Sequence, residues 1–403
     1  MSQVNKTQDN ILEVKHLKKY FPVGKSFFGK PLAFLKAVDD VSFVIPRGST
    51  LGIVGESGCG KTTLGRTILN LQPATEGSVL FEGKEITTMK KSELRKLRTQ
   101  MQIVFQDPYS SLPPRSTVGE IIGEAVLVHN IVPKKDLREY VISIMKKCGL
   151  QEFHYDRFPH EFSGGQRQRI CIARALAVKP TFVVCDEPVS ALDVSIQAQI
   201  VNLFKELQQQ EDLTYMFISH DLSVVEHISS HVGVMYLGNM MEMAEKTELF
   251  ANPKHPYTQA LLSAVPVPDP HYKSNRIILQ GDIPSPINPP KGCKFHTRCN
   301  KCMEICKTVT PCLNDAGDGH FVACHLYAQE QQLAQEQTQT QEQQPAEQPT
   351  KTRKKQVYTV KSKKSNPFKS TDIRVKVAVD SNDISVDVVG NQDLVVEQSI
   401  VEE

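Results

Sequence analysis

The chain has 403 residues, 40% hydrophobic and 23% charged, with a formal net charge of +2. This length suits about two to three domains with a sizeable core, and the balanced charge excludes a globally basic binder of nucleic acid or acidic lipid. No stretch approaches the ~18 uninterrupted apolar residues that span a bilayer, and the opening Met1-Ser-Gln-Val-Asn-Lys-Thr lacks a signal-peptide layout, so membrane association is expected only through a partner.

From Ile11 to Val54 the pattern is strand-like, with Ile11-Leu-Glu-Val14, Val41-Ser-Phe43-Val-Ile45, the turn Pro46-Arg-Gly48 and Leu51-Gly-Ile53-Val54. It reads as a small β subdomain on a larger α/β core. The last strand runs into Gly55, Glu56, Ser57, Gly58, Cys59, Gly60, Lys61, Thr62 and Thr63, and a helix is expected from Thr63 to Leu71. A glycine-rich loop between strand and helix that ends in Lys-Thr is built to wrap a nucleotide's phosphates. Its N–H groups from Gly58 to Thr62 converge at a helix N-terminus, where peptide dipoles favour negative charge. Lys61 is expected to reach the β- and γ-phosphates and the Thr62 hydroxyl to ligate Mg²⁺, with Cys59 as a small filler.

Residues 103–105 form another short strand, followed by Gln106-Asp-Pro108, and a mostly helical stretch is expected from about Val118 to Val178. Within it, Ser163, Gly164, Gly165 and Gln166, with Arg167 and Arg169 just behind, read as a second anion-binding helix start. One polypeptide seldom needs two such sites for one nucleotide. The strand Thr181-Phe-Val-Val-Cys185 ends in Asp186-Glu187, two carboxylates at the carboxyl edge of a strand, where open α/β sheets bind ligands. Asp186 is expected to hold Mg²⁺ through water and Glu187, facing the other way, to polarise a water for attack on the γ-phosphate. Alone, such a pair is more often a solvated turn; the phosphate loop reverses that reading. A helix around Gln197 to Gln209 and a strand at Tyr215-Met-Phe-Ile218 then lead to His220. Alternating strands and helices indicate a mainly parallel sheet covered on both faces.

Beyond about residue 250 the chain turns Pro-rich, and six of its ten cysteines fall between Cys293 and Cys324. That density suggests a metal site rather than packing or a disulfide scaffold. Residues 329–350 are mainly Gln and Glu, too poor in apolar surface to offset chain entropy. Residues 350–369 carry eight Lys/Arg and no acid, whereas 370–403 carry eight Asp/Glu against two basic residues. Alternation around Val377 and Val386 permits a hairpin in that tail.

In the expected order, the phosphate loop, Gln106, Ser163-Gly-Gly-Gln166, Asp186-Glu187, Ala191-Leu-Asp193 and His220 resemble the ATP-binding subunits of ABC transporters over roughly residues 11–325. The resemblance narrows at His255-Pro256-Tyr257-Thr258 and at Ser190-Ala-Leu-Asp-Val-Ser195-Ile-Gln197, which look like the F-type subunit of oligopeptide and dipeptide importers. It implies an α/β ABC-type nucleotide-binding domain over 1–250, with an antiparallel β subdomain and a helical subdomain at about 107–178. A Pro/Cys-rich appendage over 251–327 and a disordered linker and charged tail over 328–403 would follow.

The same resemblance implies that Gln106 senses Mg²⁺ and the attacking water, and that His220 hydrogen-bonds the γ-phosphate. Adenine is expected to stack on Phe21, with Tyr20 as the alternative. Ser163 to Gln166 and Asp193 would meet nucleotide held by another subunit. Cys293, Cys299, Cys306 and Cys324 match the family's four-cysteine pattern, for a [4Fe–4S] cluster or Zn²⁺; Cys302 adds a Cys-x-x-Cys with Cys299. The implied partners are a D-type ATP-binding subunit, two permease subunits and, through them, a peptide-binding protein, with this chain peripheral on the cytoplasmic face. The rival reading, a soluble ABC ATPase of translation or repair, would normally carry two cassettes in one chain or a long coiled coil. Nucleic acid is not an expected partner, since the basic run contains only Tyr358 and Phe368 as aromatic punctuation.

Overall fold

The computed structural model describes residues 9–25, 31–266, 276–327, 376–380 and 383–387. The chain divides into two units, Met1–Glu336 and Gln337–Glu403. In the first, β1 (Asn10–Lys25) pairs antiparallel with β2 (Pro31–Pro46), placing Leu12 beside Ile45 and Val14 beside Phe43. After β3 (Thr50–Val54) and α1 (Lys61–Ile68), β4 (Glu76–Phe81) and β5 (Lys84–Glu85) complete a four-stranded sheet in the order β2-β1-β4-β5.

Following α2 (Lys91–Leu97), β6 (Met101–Val104) opens the main sheet. The helical stretch then comprises α3 (Pro108–Ser111), α4 (Val118–Val128), α5 (Leu137–Lys147) and α6 (Gly164–Leu176). It is several helices rather than one run because Asn130 (φ 52°) and Gly149 (φ 74°) take the left-handed conformation that ends α4 and α5. Asn70 (φ 49°) does the same after α1, which therefore stops short of Leu71.

β7 (Phe182–Asp186), α7 (Val194–Glu211), β8 (Thr214–Ile218), α8 (Leu222–Ile228), β9 (His231–Tyr236), β10 (Asn239–Glu245), α9 (Lys246–Ala251) and α10 (Pro256–Ser263) follow. The C-terminal segment of this unit adds α11 (Glu304–Thr308), β11 (Asn314–Asp315) and β12 (Phe321–Val322). The main sheet runs β11-β12-β10-β9-β3-β8-β7-β6, and its strands from β9 to β6 are parallel. Strand alternation explains its apolar run. Phe182 and Val184 of β7 pack with α1 and the four-stranded sheet, while Val183 and Cys185 pack with the helices of the opposite face.

The Pro/Cys-rich segment is joined to this core. β12 pairs with β10, and Cys293, Phe295 and Cys306 belong to the same buried cluster as Tyr236 and Tyr257. The segment is thus an edge of the main sheet as well as an appendage. In the second unit, β13 (Lys376–Asp380) pairs antiparallel with β14 (Asp383–Asp387). The pairing falls where alternation around Val377 and Val386 permits a hairpin; the rest of the expected linker and tail lies outside the described residues.

Candidate nucleotide site

The phosphate loop joins β3 to α1 with its backbone pressed against neighbours. A Cβ at Gly55 (φ 149°) would stand 2.2 Å from the Met235 carbonyl oxygen, and one at Gly60 (φ 106°) 2.0 Å from that of Ala37. Only glycine fits either place. Lys61 is 4% exposed, and its Nζ donates to the carbonyls of Gly55 (2.8 Å) and Glu56 (3.1 Å), folding the loop over its own ammonium. Cys59 is buried below the loop, and burial pushes its thiol pKa up, which suits a filler rather than a nucleophile.

Asp186 ends β7, and its Oδ1 accepts the Thr62 hydroxyl at 2.7 Å. The carboxylate is 1% exposed, and among the described residues its Oδ2 has no hydrogen-bond partner although Arg66 lies 3.7 Å away. Burial raises its pKa, against the lowering effects of Thr62 and Arg66. A buried, incompletely satisfied carboxylate oxygen beside a threonine hydroxyl suits a hard cation. Glu187 turns away because its own backbone is left-handed (φ 48°). Gln106 Nε2 donates to Glu187 Oε2 at 2.9 Å, and His220 Nδ1 lies 3.2 Å from that same oxygen.

Four parallel strands supply these groups at their carboxyl ends. The phosphate loop follows β3, Gln106 follows β6, Asp186 and Glu187 close β7, and His220 follows β8. The phosphate loop, Gln106, Glu187 and His220 border one open cavity of about 510 Å³, lined also by Phe21, Leu35, Lys36, Ala37, Leu237, Gly238 and Pro286, and Asp186 is tied to it through its hydrogen bond with Thr62. That volume lies within the range of small-molecule sites. Of the two aromatic candidates, Phe21 faces this cavity, with Lys19 Nζ 4.8 Å from its ring centroid. Tyr20, one residue out of phase, instead bonds its hydroxyl to Asp39.

Ser163, Gly164, Gly165, Gln166 and Asp193 do not line the cavity. Ser163 caps α6 in a reciprocal box with Gln166: the Gln166 N–H reaches Ser163 Oγ at 3.4 Å, and the Ser163 N–H reaches Gln166 Oε1 at 3.1 Å. Asp193 precedes α7 and is exposed. The expectation that Arg167 and Arg169 add charge to this second anion site is corrected. Arg167 is buried and donates to the carbonyls of Pro159 and His160, and Arg169 donates to that of Cys148. Arg167 braces the loop from behind, and Arg169 ties α6 to the end of α5.

Sequence reasoning missed the second wall of the cavity. Leu237 (φ 43°) and Gly238 (φ 80°) form the tight β9–β10 turn, which lacks the usual Asn-Gly signal. Nothing local marks Lys36 and Pro286 as neighbours, yet the Lys36 N–H donates to the Pro286 carbonyl at 3.1 Å. In the C-terminal segment, burial, and then the nearby thiols of Cys306, Cys324 and Cys299, push the Cys293 thiol up to about 12. Burial, with neighbouring thiols adding to it, raises Cys299 as well and lifts Cys324 to about 11. The four cysteines therefore share one neighbourhood, but among the described residues no group of three or more His, Cys, Asp or Glu is spaced to hold a metal ion as it stands.

The family model described as ABC transporter matches residues 38–190, and the one described as Oligopeptide/dipeptide transporter, C-terminal region, matches 241–306. The chain is 55% identical over 324 residues to the oligopeptide transport ATP-binding protein AppF of Bacillus subtilis (strain 168), covering 80% of this chain and 98% of that one. Among solved structures it is similar to a dimeric post-hydrolysis state of the ATP-binding cassette MJ0796 bound to ADP and Pi, with TM-score 0.53, 26% identity, and coverage of 58% of this chain and 98% of the cassette. It is also similar to cbiO1 from Clostridium perfringens, part of an ABC transporter complex, with TM-score 0.53, 29% identity, and coverage of 60% and 92%.

Proposed function

Because the chain belongs to the ATP-binding proteins of ABC transporters that carry the oligopeptide/dipeptide C-terminal region, we propose that it hydrolyses ATP to power import of short peptides through a membrane permease. The observation that carries this reading is the convergence of Lys61, Thr62, Gln106, Glu187 and His220 on one cavity at the carboxyl ends of parallel strands, with Asp186 hydrogen-bonded to Thr62.

Within the cavity, Phe21 stacks adenine, and residues 55–63 wrap the phosphates with Lys61 as the countercharge. Thr62, Asp186 and Gln106 would hold Mg²⁺, which when bound would supply positive charge toward the phosphates. Glu187 is the general base. Gln106 and His220 both engage its Oε2, which orients the carboxylate and leaves Oε1 to accept a proton from water. His220 would also donate to the γ-phosphate.

Exposure of Ser163 and Asp193, and the position of residues 163–166 outside the cavity, support a composite site in which residues 163–166 and Asp193 meet nucleotide on a D-type subunit. Among the described residues no helix is long and apolar enough to cross a membrane, which fits a peripheral subunit on the cytoplasmic face of two permease subunits fed by a peptide-binding protein. The four-cysteine pattern of Cys293, Cys299, Cys306 and Cys324 is the ground for proposing one thiolate centre, [4Fe–4S] in preference to Zn²⁺, that would staple the C-terminal segment. Anaerobic purification with iron, sulfide and zinc analysis identifies it; freely reactive thiols and no metal would remove it. The transport reading is tested in proteoliposomes holding the whole transporter. Peptide uptake should require Mg-ATP and vanish with Glu187→Gln, whereas co-purification with ribosomes or DNA and no ATP-driven uptake would overturn it.

A further inference from the structure

The phosphate loop contains a carboxylate, Glu56, next to the place where a polyanion is to be bound. Left alone it would repel that polyanion. Its Oε1 and Oε2 lie 3.1 and 2.8 Å from Nη1 of Arg298, a residue of the C-terminal segment 242 positions away. The Glu56 N–H donates to the Tyr257 hydroxyl at 3.0 Å, and the Glu56 carbonyl accepts from Lys61 Nζ at 3.1 Å. Glu56 is thus held at its carboxylate, its N–H and its carbonyl, and the last of these contacts is the phosphate-binding lysine itself.

Arg298 is well seated. Its side chain is 9% exposed, and its guanidinium stands 5.9 Å from the centroid of the Tyr236 ring. Tyr236, Tyr257 and Phe295 pack ring against ring beneath it, with centroids 4.8–5.4 Å apart. Two more ties bring the same segment to the cavity wall: the Pro286 carbonyl accepts the Lys36 N–H, and Lys294 pairs with Asp39 at 3.6 Å.

We infer that Arg298 is a positioning residue for the phosphate loop: it neutralises Glu56 and fixes the carbonyl that holds Lys61, so that nucleotide affinity depends on the folded C-terminal segment. The inference rests on assigning residues 55–63 to nucleotide binding. Removing Arg298 leaves an unpaired carboxylate within the phosphate loop and a loop released on one side. Removing both charges restores electrostatic neutrality although the ion pair is lost.

Binding of a fluorescent ATP analogue to the purified full-length chain, with Mg²⁺, tests this, with circular dichroism and thermal melting reporting the fold. Arg298→Gln should raise Kd about tenfold, the Glu56→Gln/Arg298→Gln double variant should return to within about threefold of wild type, and Arg298→Lys should fall between. A purely structural ion pair would lower the melting temperature of Arg298→Gln and leave its Kd within about twofold of wild type. An unchanged Kd in folded Arg298→Gln, or a double variant no better than the single, overturns the inference. Should Arg298→Gln not fold, Arg298→Lys decides: an unchanged Kd overturns the inference, and a rise of about threefold supports it. Lys61→Ala separates the two failures, since unchanged binding there overturns the assignment of the loop itself and the inference with it.

Discussion

Two glycine-rich helix starts, at Gly55–Thr63 and at Ser163–Gln166, share one local chemistry and differ in everything around it. The first buries its lysine, opens on a cavity, and faces carboxylate, amide and imidazole groups from three other strand ends. The second caps itself, lies outside the cavity, and has its flanking arginines turned to backbone carbonyls. A helix N-terminus attracts anions in both places, but only the first is supplied with groups that can act on one. The second lies outside the cavity, as the composite site proposed above requires.

The contrast can be broken most sharply at Glu187. Glu187→Gln keeps the shape and loses the proton acceptor, so turnover of the assembled transporter should fall by ~10²-fold or more with ATP affinity retained; steady-state hydrolysis beside equilibrium binding measures both. Retention of a tenth of wild-type turnover would remove its role as base. Next in size is Ser163→Arg, which crowds the exposed helix start. It should lower turnover of the complex by about 10²-fold while ATP binding to the isolated chain stays within about twofold, and a matching loss of binding would mean that both helix starts serve one nucleotide.

Lys61→Ala should weaken nucleotide binding about tenfold or more by withdrawing the buried charge from the phosphates, as titration of the isolated chain would show. The smallest effect concerns Asp186. Its pKa is raised by burial, so the stability linked to its protonated form is full below the ordinary carboxylate range and is lost as pH rises through the raised value. A cation at Oδ2 offsets that loss. Mg²⁺ should raise the melting temperature by about 2 °C at neutral pH and progressively less in acid; an equal shift at both would place the ion elsewhere.

Much of the first site was legible because its residues stand at the ends of apolar strands. Val54, Cys185 and Ile218 mark where Gly55, Asp186 and the approach to His220 begin, and period-2 alternation does the rest. Phe21 and Tyr20 differ by one residue of register, which pairing with β2 settles and sequence alone does not. Arg167 was misread because position behind a glycine pair says nothing of which carbonyls a loop leaves unsatisfied. The β9–β10 turn escaped notice because Leu237 takes a left-handed conformation by tertiary constraint rather than preference. The pairing of Glu56 with Arg298 joins distant parts of the chain, and no local rule reaches that far.

The central claim, that this chain holds one complete phosphate site and lends a second surface to another subunit, is tested most directly by turnover per chain at saturating Mg-ATP across a protein dilution series, with light scattering recording the monomer fraction. The isolated monomer should bind ATP yet turn it over negligibly, and turnover should rise with association and most strongly on adding the D-type subunit and permease. Full, concentration-independent hydrolysis by a strict monomer would contradict it.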